Sequence, residues 1–155
     1  MKQRGLKVAP PAGKIDTFTA AYIEAALWSS TDNGYRGEGH PDNREDPSDG
    51  GEPLDANYTG DDLAPETLVT MIADCARFQE ENAADIGAED ACKFASDYTP
   101  SERAGHDFWL NRNGHGCGFW DGDWKEPHAS RLDAASKAFG TYELYAGDDG
   151  LIYGM

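Results

Sequence analysis

The sequence predicts an α+β fold, a small antiparallel sheet of two β-hairpins with three to four helices packed on it. Three observations support this class. Apolar residues recur at helical spacing in several segments, strand-like aromatic segments occur in only two places, and each of these places holds a glycine-rich turn. Strands and helices do not alternate regularly, so a parallel nucleotide-binding sheet is not expected. A chain of 155 residues suits a single domain.

The first predicted helix follows a leader, residues 1–15, that contains Pro and Gly and is expected to be flexible. Asp16 or Thr17 can cap this helix. The spacing of its apolar residues predicts a stripe that faces the core, namely Phe18, Tyr22, Ala25 and Ala26. Residues 31–62 then show neither helical nor strand periodicity. They hold too few apolar groups to offset the entropy of ordering, so we expect a long acidic surface loop.

The strongest helical pattern is that of APETLVTMIADCARFQEENAADI. Pro65 suits the first helical position, and Glu66 lies near the positive end of the helix dipole. The 3, 4 spacing predicts a buried stripe of Leu68, Met71, Ile72, Cys75, Phe78 and Asn82. The outer face is expected to carry Asp74, Glu80, Glu81 and Asp85. Farther along, AEDACKFASDY is a candidate for a shorter helix that ends at Pro100.

Both predicted hairpins lie in the second half of the chain. HDFWLN and CGFWD are rich in aromatic residues and flank RNGHG, whose Asn-Gly pair predicts the first hairpin. Pro127 and Gly140 then bracket a predicted amphipathic helix whose stripe contains His128, Leu132, Ala135 and Phe139. TYELYA and LIYG flank GDDG and predict the second hairpin.

The composition is strongly acidic. Asp and Glu number 29 against 13 Lys and Arg, which gives a formal net charge of −16. This charge disfavours direct binding to nucleic acid or anionic membranes, and it attracts proteins with a basic surface. No apolar run approaches the length of a membrane-spanning helix, and the three cysteines lack a CxxC spacing. We therefore expect a cytoplasmic protein with free thiols.

A catalytic site is one interpretation of the polar residues in and around the first predicted hairpin. A small-ligand site or a hydrolase-like enzyme would use His106, Asp107, Arg112, Asn113 and His115. Cys117 lies near His115, but the intervening turn argues against a thiol nucleophile. The spacing of histidines, cysteines and acids matches no familiar zinc or calcium motif, and no phosphate-binding motif occurs. No metal and no cofactor are expected.

An interaction surface is the other interpretation. A hairpin alternates its side chains, so part of its aromatic set is expected to be exposed beside charged residues. Together with the acidic helix face, this predicts a partner-binding set of Asp74, Glu80, Glu81, Asp85, Trp109, Arg112, Trp120, Asp121, Asp123 and Trp124.

Several segments resemble a family of small acidic proteins found in phages and prophages of bacteria. They include EAALWSSTD, GEPLDANY, LYAGDDGLIY and, most specifically, GHDFWLNRNGHGCGFWD. The resemblance extends from about Thr19 to Tyr153. The family has no assigned activity, so it implies no functional residues. The stretch NGYRGEGHPDNREDPSDG is longer here than in the family, and Cys117 replaces a small residue, so neither is expected to be essential to a shared function.

These observations lead to three functional hypotheses. The first is a non-enzymatic, phage-type acidic protein that binds a basic surface on a host protein and modulates or inhibits it, with DNA mimicry in counter-defence as its sharpest form. The second is the ligand-binding or hydrolase-like site. The third is a structural or scaffold role in a virion. The sequence leaves the oligomeric state open.

Overall fold

A computed structural model describes residues 15–32, 52–88, 91, 99–114, 118–120 and 124–155. Within these ranges the chain is a mixture of helices and short antiparallel strands. The helices are α1 (Thr17–Ser29), α2 (Pro65–Glu81), α3 (Ala83–Ile86), α4 (Pro100–Arg112) and α5 (His128–Ala138). The strands are β1 (Thr31–Asp32), β2 (Glu52–Pro53), β3 (Leu144–Ala146) and β4 (Ile152–Gly154).

Three of the predicted helices are confirmed as α1, α2 and α5. The side chain of Asp16 caps α1 by accepting a hydrogen bond from the backbone N–H of Thr19 at 2.8 Å. In α2, Pro65 occupies the first turn, and the helix ends where Asn82 leaves helical geometry. The buried positions of these helices agree with most of the predicted stripes because apolar spacing is a local signal.

The first predicted hairpin is wrong, because HDFWLN belongs to α4. Thr99 and Glu102 form a reciprocal capping box in which each side chain accepts a hydrogen bond from the other's backbone N–H. Pro100, which was expected to end a helix, therefore begins one. The consecutive residues Phe108, Trp109 and Leu110 are all buried, so no polar face reveals the helical period.

Helices α1 and α4 pack at unusually short range. Gly105 in α4 lies against the backbone of α1, and a Cβ atom added there would lie 2.1 Å from the carbonyl oxygen of Phe18. Ala21 of α1 faces the same glycine. Small residues on both helices thus allow the two backbones to approach, and this approach brings the aromatic residues of α4 into the core.

The strands are short and do not form the predicted sheet of two hairpins. Strands β3 and β4 pair antiparallel with Tyr145 opposite Tyr153, which confirms the pairing of TYELYA with LIYG. Strands β1 and β2 pair across residues 33–51. The predicted 31–62 loop therefore contains ordered structure at both of its ends, including helical turns at Leu54–Ala56 and Gly60–Asp62.

The core is an aromatic cluster at the junction of the helices. The rings of Phe78 and Phe108 stack with centroids 4.2 Å apart. Phe119 also stacks on Phe78, with centroids 5.8 Å apart. Each well-placed aromatic pair adds about 0.5–1.5 kcal/mol beyond simple burial. The candidate helix AEDACKFASDY lies almost entirely outside the described residues; Ala91 is buried.

Candidate interaction surface

The four carboxylates expected on the outer face of α2 and its extension divide into two pairs. Asp74 is partly buried, and its Oδ2 accepts a hydrogen bond from Nη1 of Arg112 at 3.0 Å. Its position explains this placement, since Asp74 follows Met71 by three residues and precedes Phe78 by four, which puts it on the buried side. The expectation that Asp74 lies on an outer face is wrong.

Asp85 is buried between α3 and α5. Its carboxylate accepts hydrogen bonds from Nε of Arg131 at 3.0 Å and from Nδ1 of His128 at 2.8 Å. The hydrogen bonds from Arg131 hold the pKa of Asp85 below its ordinary value, against the opposing effect of burial. Asp85 therefore joins two helices and is not an outer-face residue.

Glu80 and Glu81 are exposed, as predicted. Glu81 pairs with Arg77 one helical turn earlier, with Nε and Oε2 3.3 Å apart. Both side chains of this pair are more than half exposed, so solvent screens their attraction strongly. Of the four acids predicted for this outer face, only Glu80 and Glu81, in the C-terminal turn of α2, are exposed.

Arg112 is a buried connector of four parts of the fold. Its side chain is only 3% exposed. Besides Asp74, it donates to the hydroxyl of Tyr22 at 2.9 Å and to the carbonyl oxygens of Gly140 at 2.7 Å and Phe139 at 3.3 Å. A guanidinium with these internal acceptors is not presented to a partner, so its predicted exposure on a hairpin is wrong.

The other predicted polar residues bind separate neighbours. His106 contacts Glu24 of α1 through Nε2 at 3.1 Å. Asp107 is buried and accepts a hydrogen bond from Nε1 of Trp124 at 2.7 Å. Asn113 accepts a hydrogen bond from the backbone N–H of Tyr142 at 2.8 Å. These contacts do not gather the three side chains around one ligand position. His115 and Cys117 lie outside the described residues.

Asn111 and Gly118 explain part of the glycine-rich motif by packing. The side-chain amide of Asn111 donates to Ser136 Oγ and to the carbonyl oxygen of Asp133 in α5. Gly118 has φ +154°, and a Cβ atom there would lie 2.3 Å from Oδ1 of Asn111. Glycine is therefore required where the chain passes over Asn111.

The predicted tryptophans differ in exposure. Trp109 and Trp124 are core residues, with 1% and 2% of their surface exposed, so their predicted exposure on a hairpin face is wrong. Their indole N–H groups donate to Ser29 and Asp107. Trp120 is 55% exposed and remains a candidate contact residue. Asp121 and Asp123 lie outside the described residues.

Metal and thiol chemistry receive no geometric support in the described ranges. No three His, Cys, Asp or Glu side chains there form a group that could hold a metal ion. Cys75 is fully buried in the core, and burial raises the pKa of its thiol well above the ordinary value. Cys75 therefore acts as a packed apolar residue, in agreement with its predicted position on the core side of α2.

Tyr145 and Met155 are exposed residues of the β3–β4 hairpin that the sequence reasoning did not single out. The alternation in TYELYA was a usable signal, since it places Tyr145 on the face opposite the buried Leu144. Val69 of α2 is exposed as well.

Several cations of the described residues form ion pairs within the chain. Arg77, Arg112, Arg131 and Lys137 each pair with a carboxylate of the described part of the chain, and of these four only Arg112 is buried. By contrast, exposed carboxylates occur on several separate elements, namely those of Asp55, Glu66, Glu80, Glu143 and Asp148. The described surface therefore carries more exposed carboxylates than exposed cations.

Comparison with protein-family models, curated protein sequences and solved structures finds no significant match to this chain. In the part of the chain that is described, helices are too short or too polar to cross a lipid bilayer.

Proposed function

We propose that this chain is a non-enzymatic acidic protein that binds another protein through a basic surface on that partner. The observation that carries the proposal is the unequal use of charge. Arg112 is buried against Asp74, and the described surface carries more exposed carboxylates, such as those of Glu80 and Glu143, than exposed cations. Such a negative surface accelerates association with a basic partner and favours it over other proteins.

The resemblance of the sequence to small phage and prophage proteins supports a bacterial host protein as the partner. In its most specific form, the proposal is DNA mimicry. Carboxylates of this chain occupy a groove of the host protein that otherwise binds DNA phosphates, and the host protein is inhibited. The surface offered to such a groove contains Glu80 and Glu81, and excludes the internally paired Asp74 and Asp85.

The proposal is tested by affinity capture from a bacterial lysate, with and without competing duplex DNA. We expect a retained DNA-binding protein that DNA displaces and that added salt releases. The double variant Glu80→Gln/Glu81→Gln should retain several-fold less of it, because two charges are lost and the side-chain shape is kept.

The matched control is Glu80→Asp/Glu81→Asp, which keeps both charges at the same positions. It should retain the partner at nearly the wild-type level. Equal retention by the Gln and Asp variants would remove Glu80 and Glu81 from the interface. Absence of any partner that responds to salt would refute the proposed function itself.

A further inference from the structure

The β3–β4 hairpin has an outward face that is aromatic and apolar. Leu144 and Ile152 point into the core, so the alternating residues Tyr145 and Tyr153 lie on the other face, directly opposite each other. The backbone pairing of Glu143 with Met155 extends this face by one row. Tyr145 is 44% exposed and Met155 is 78% exposed.

The two tyrosine rings are held in place. Their centroids lie 5.9 Å apart with the planes inclined by 28°. The Tyr153 ring lies against the turn, where a Cβ atom on Gly147 would come within 2.7 Å of it. The Tyr153 hydroxyl donates a hydrogen bond to Oδ2 of Asp149 at 2.5 Å. A partner that contacts these rings would therefore lose little entropy in ordering them.

Carboxylates surround this aromatic face. Asp148 and Asp149 lie in the turn at one end, Glu143 lies at the other end, and Glu66 is close enough to act on Tyr153. The hydrogen bond to Asp149, with further contributions from burial and from the negative charges of Asp149 and Glu66, raises the pKa of Tyr153 to about 12. Tyr153 thus stays protonated and keeps its hydrogen bond throughout the neutral range.

We propose that the outward face of the β3–β4 hairpin is a docking site for a basic segment of the partner protein, with an arginine side chain of that segment lying over the Tyr145 and Tyr153 rings. The π faces of the rings attract a cation, and the nearby carboxylates can accept hydrogen bonds from the N–H groups of the guanidinium. A planar guanidinium meets both requirements better than an ammonium group. This assignment rests on the proposed function and names the chemistry that the partner must present.

The site is tested with a tetra-arginine peptide as the probe and the full chain as the receptor. Titration followed by NMR should shift the aromatic resonances of Tyr145 and Tyr153 saturably. Tyr145→Leu keeps the apolar surface and the net charge but removes the π face, so affinity should fall about two- to fivefold, the range for one exposed cation–π contact. Its circular dichroism spectrum and unfolding midpoint should match those of the wild type.

Glu80→Gln/Glu81→Gln is the control for diffuse electrostatic attraction, since its tyrosine face is intact. In this variant the tyrosine resonances should still shift on titration. If Tyr145→Leu binds as tightly as the wild type and the tyrosine resonances do not move, the hairpin is not the docking site. Peptide-independent dimerisation that protects Tyr145 would also overturn the assignment, in favour of a second copy of this chain.

The two levels of the proposal fail differently. A partner retained equally by wild type and Tyr145→Leu in the capture experiment refutes the hairpin site and leaves the proposed function standing. If Tyr145→Leu fails to retain the partner while Glu80→Asp/Glu81→Asp still retains it, the result supports both the hairpin site and the proposed function.

Discussion

At the scale of single residues, Arg112 shows how a side chain predicted for function can instead hold the fold together. It is buried and bonded to Asp74, to Tyr22 and to two backbone carbonyls. The guanidinium of arginine is suited to this role because its N–H donors point in several fixed directions in one plane. The same contacts explain why Asp74 is a partly buried partner of Arg112 and not an exposed acid.

Replacing Arg112 with Met tests this role. Met fills a similar volume but leaves the partly buried Asp74 carboxylate and two carbonyl groups without their donor. We expect the free energy of unfolding to fall by about 3 kcal/mol, toward the lower end for a broken buried ion pair because Asp74 keeps some access to water. Urea unfolding at neutral pH measures this loss.

The exposed pair Arg77 and Glu81 provides the comparison for Arg112. Glu81→Gln removes an ion pair of the same type in a solvent-screened position. Its expected cost is less than about 0.5 kcal/mol. Similar losses for Arg112→Met and Glu81→Gln would show that Arg112 is not a structural connector.

At the scale of elements, the contact between α1 and α4 is the part of the fold that could not be predicted from the sequence. The local signals of α2 and α5 were sufficient, because each has a polar face that makes the apolar spacing visible. Helix α1 is buried at eight of its thirteen positions and was predicted from its N-terminal capping residue and the spacing of its apolar residues. Helix α4 is buried on most of its circumference, so Phe108, Trp109 and Leu110 looked like a strand. The ion pair of Asp74 with Arg112 spans 38 residues and follows only from this helix packing.

Gly105→Ala tests the close approach of these helices. The new methyl group would overlap the backbone of Phe18, so α1 and α4 must separate. Overpacking of this kind costs about 1–3 kcal/mol, and more when the obstacle is backbone. We therefore expect a clear decrease in the thermal unfolding midpoint.

Gly60→Ala is the matched control for Gly105→Ala. Its added Cβ would meet only the Ile23 side chain, at an ordinary contact distance of 3.6 Å. Stability should change little, or rise by about 0.4–1 kcal/mol because the unfolded chain loses freedom. If Gly105→Ala behaves like Gly60→Ala, the helices are not in the close contact described.

At the scale of the whole molecule, the net charge of −16 acts on folding and on binding in opposite directions. Like charges spread over a compact surface repel one another and destabilise it, and the same charges attract a basic partner. This dual effect could be anticipated from composition alone. The placement of individual carboxylates could not, because the sequence does not show that Asp74 and Asp85 are neutralised internally.

Added sodium chloride should therefore strengthen the fold while weakening the complex. Screening shortens the reach of surface charges from about 10 Å at 0.1 M salt to about 3 Å at 1 M, and short buried pairs such as Arg112 with Asp74 are affected less. We expect the thermal midpoint of the isolated protein to rise with salt as retention of the basic partner falls. A midpoint that falls with salt would mean that attractive pairs dominate the surface, and the charge argument for partner binding would then fail.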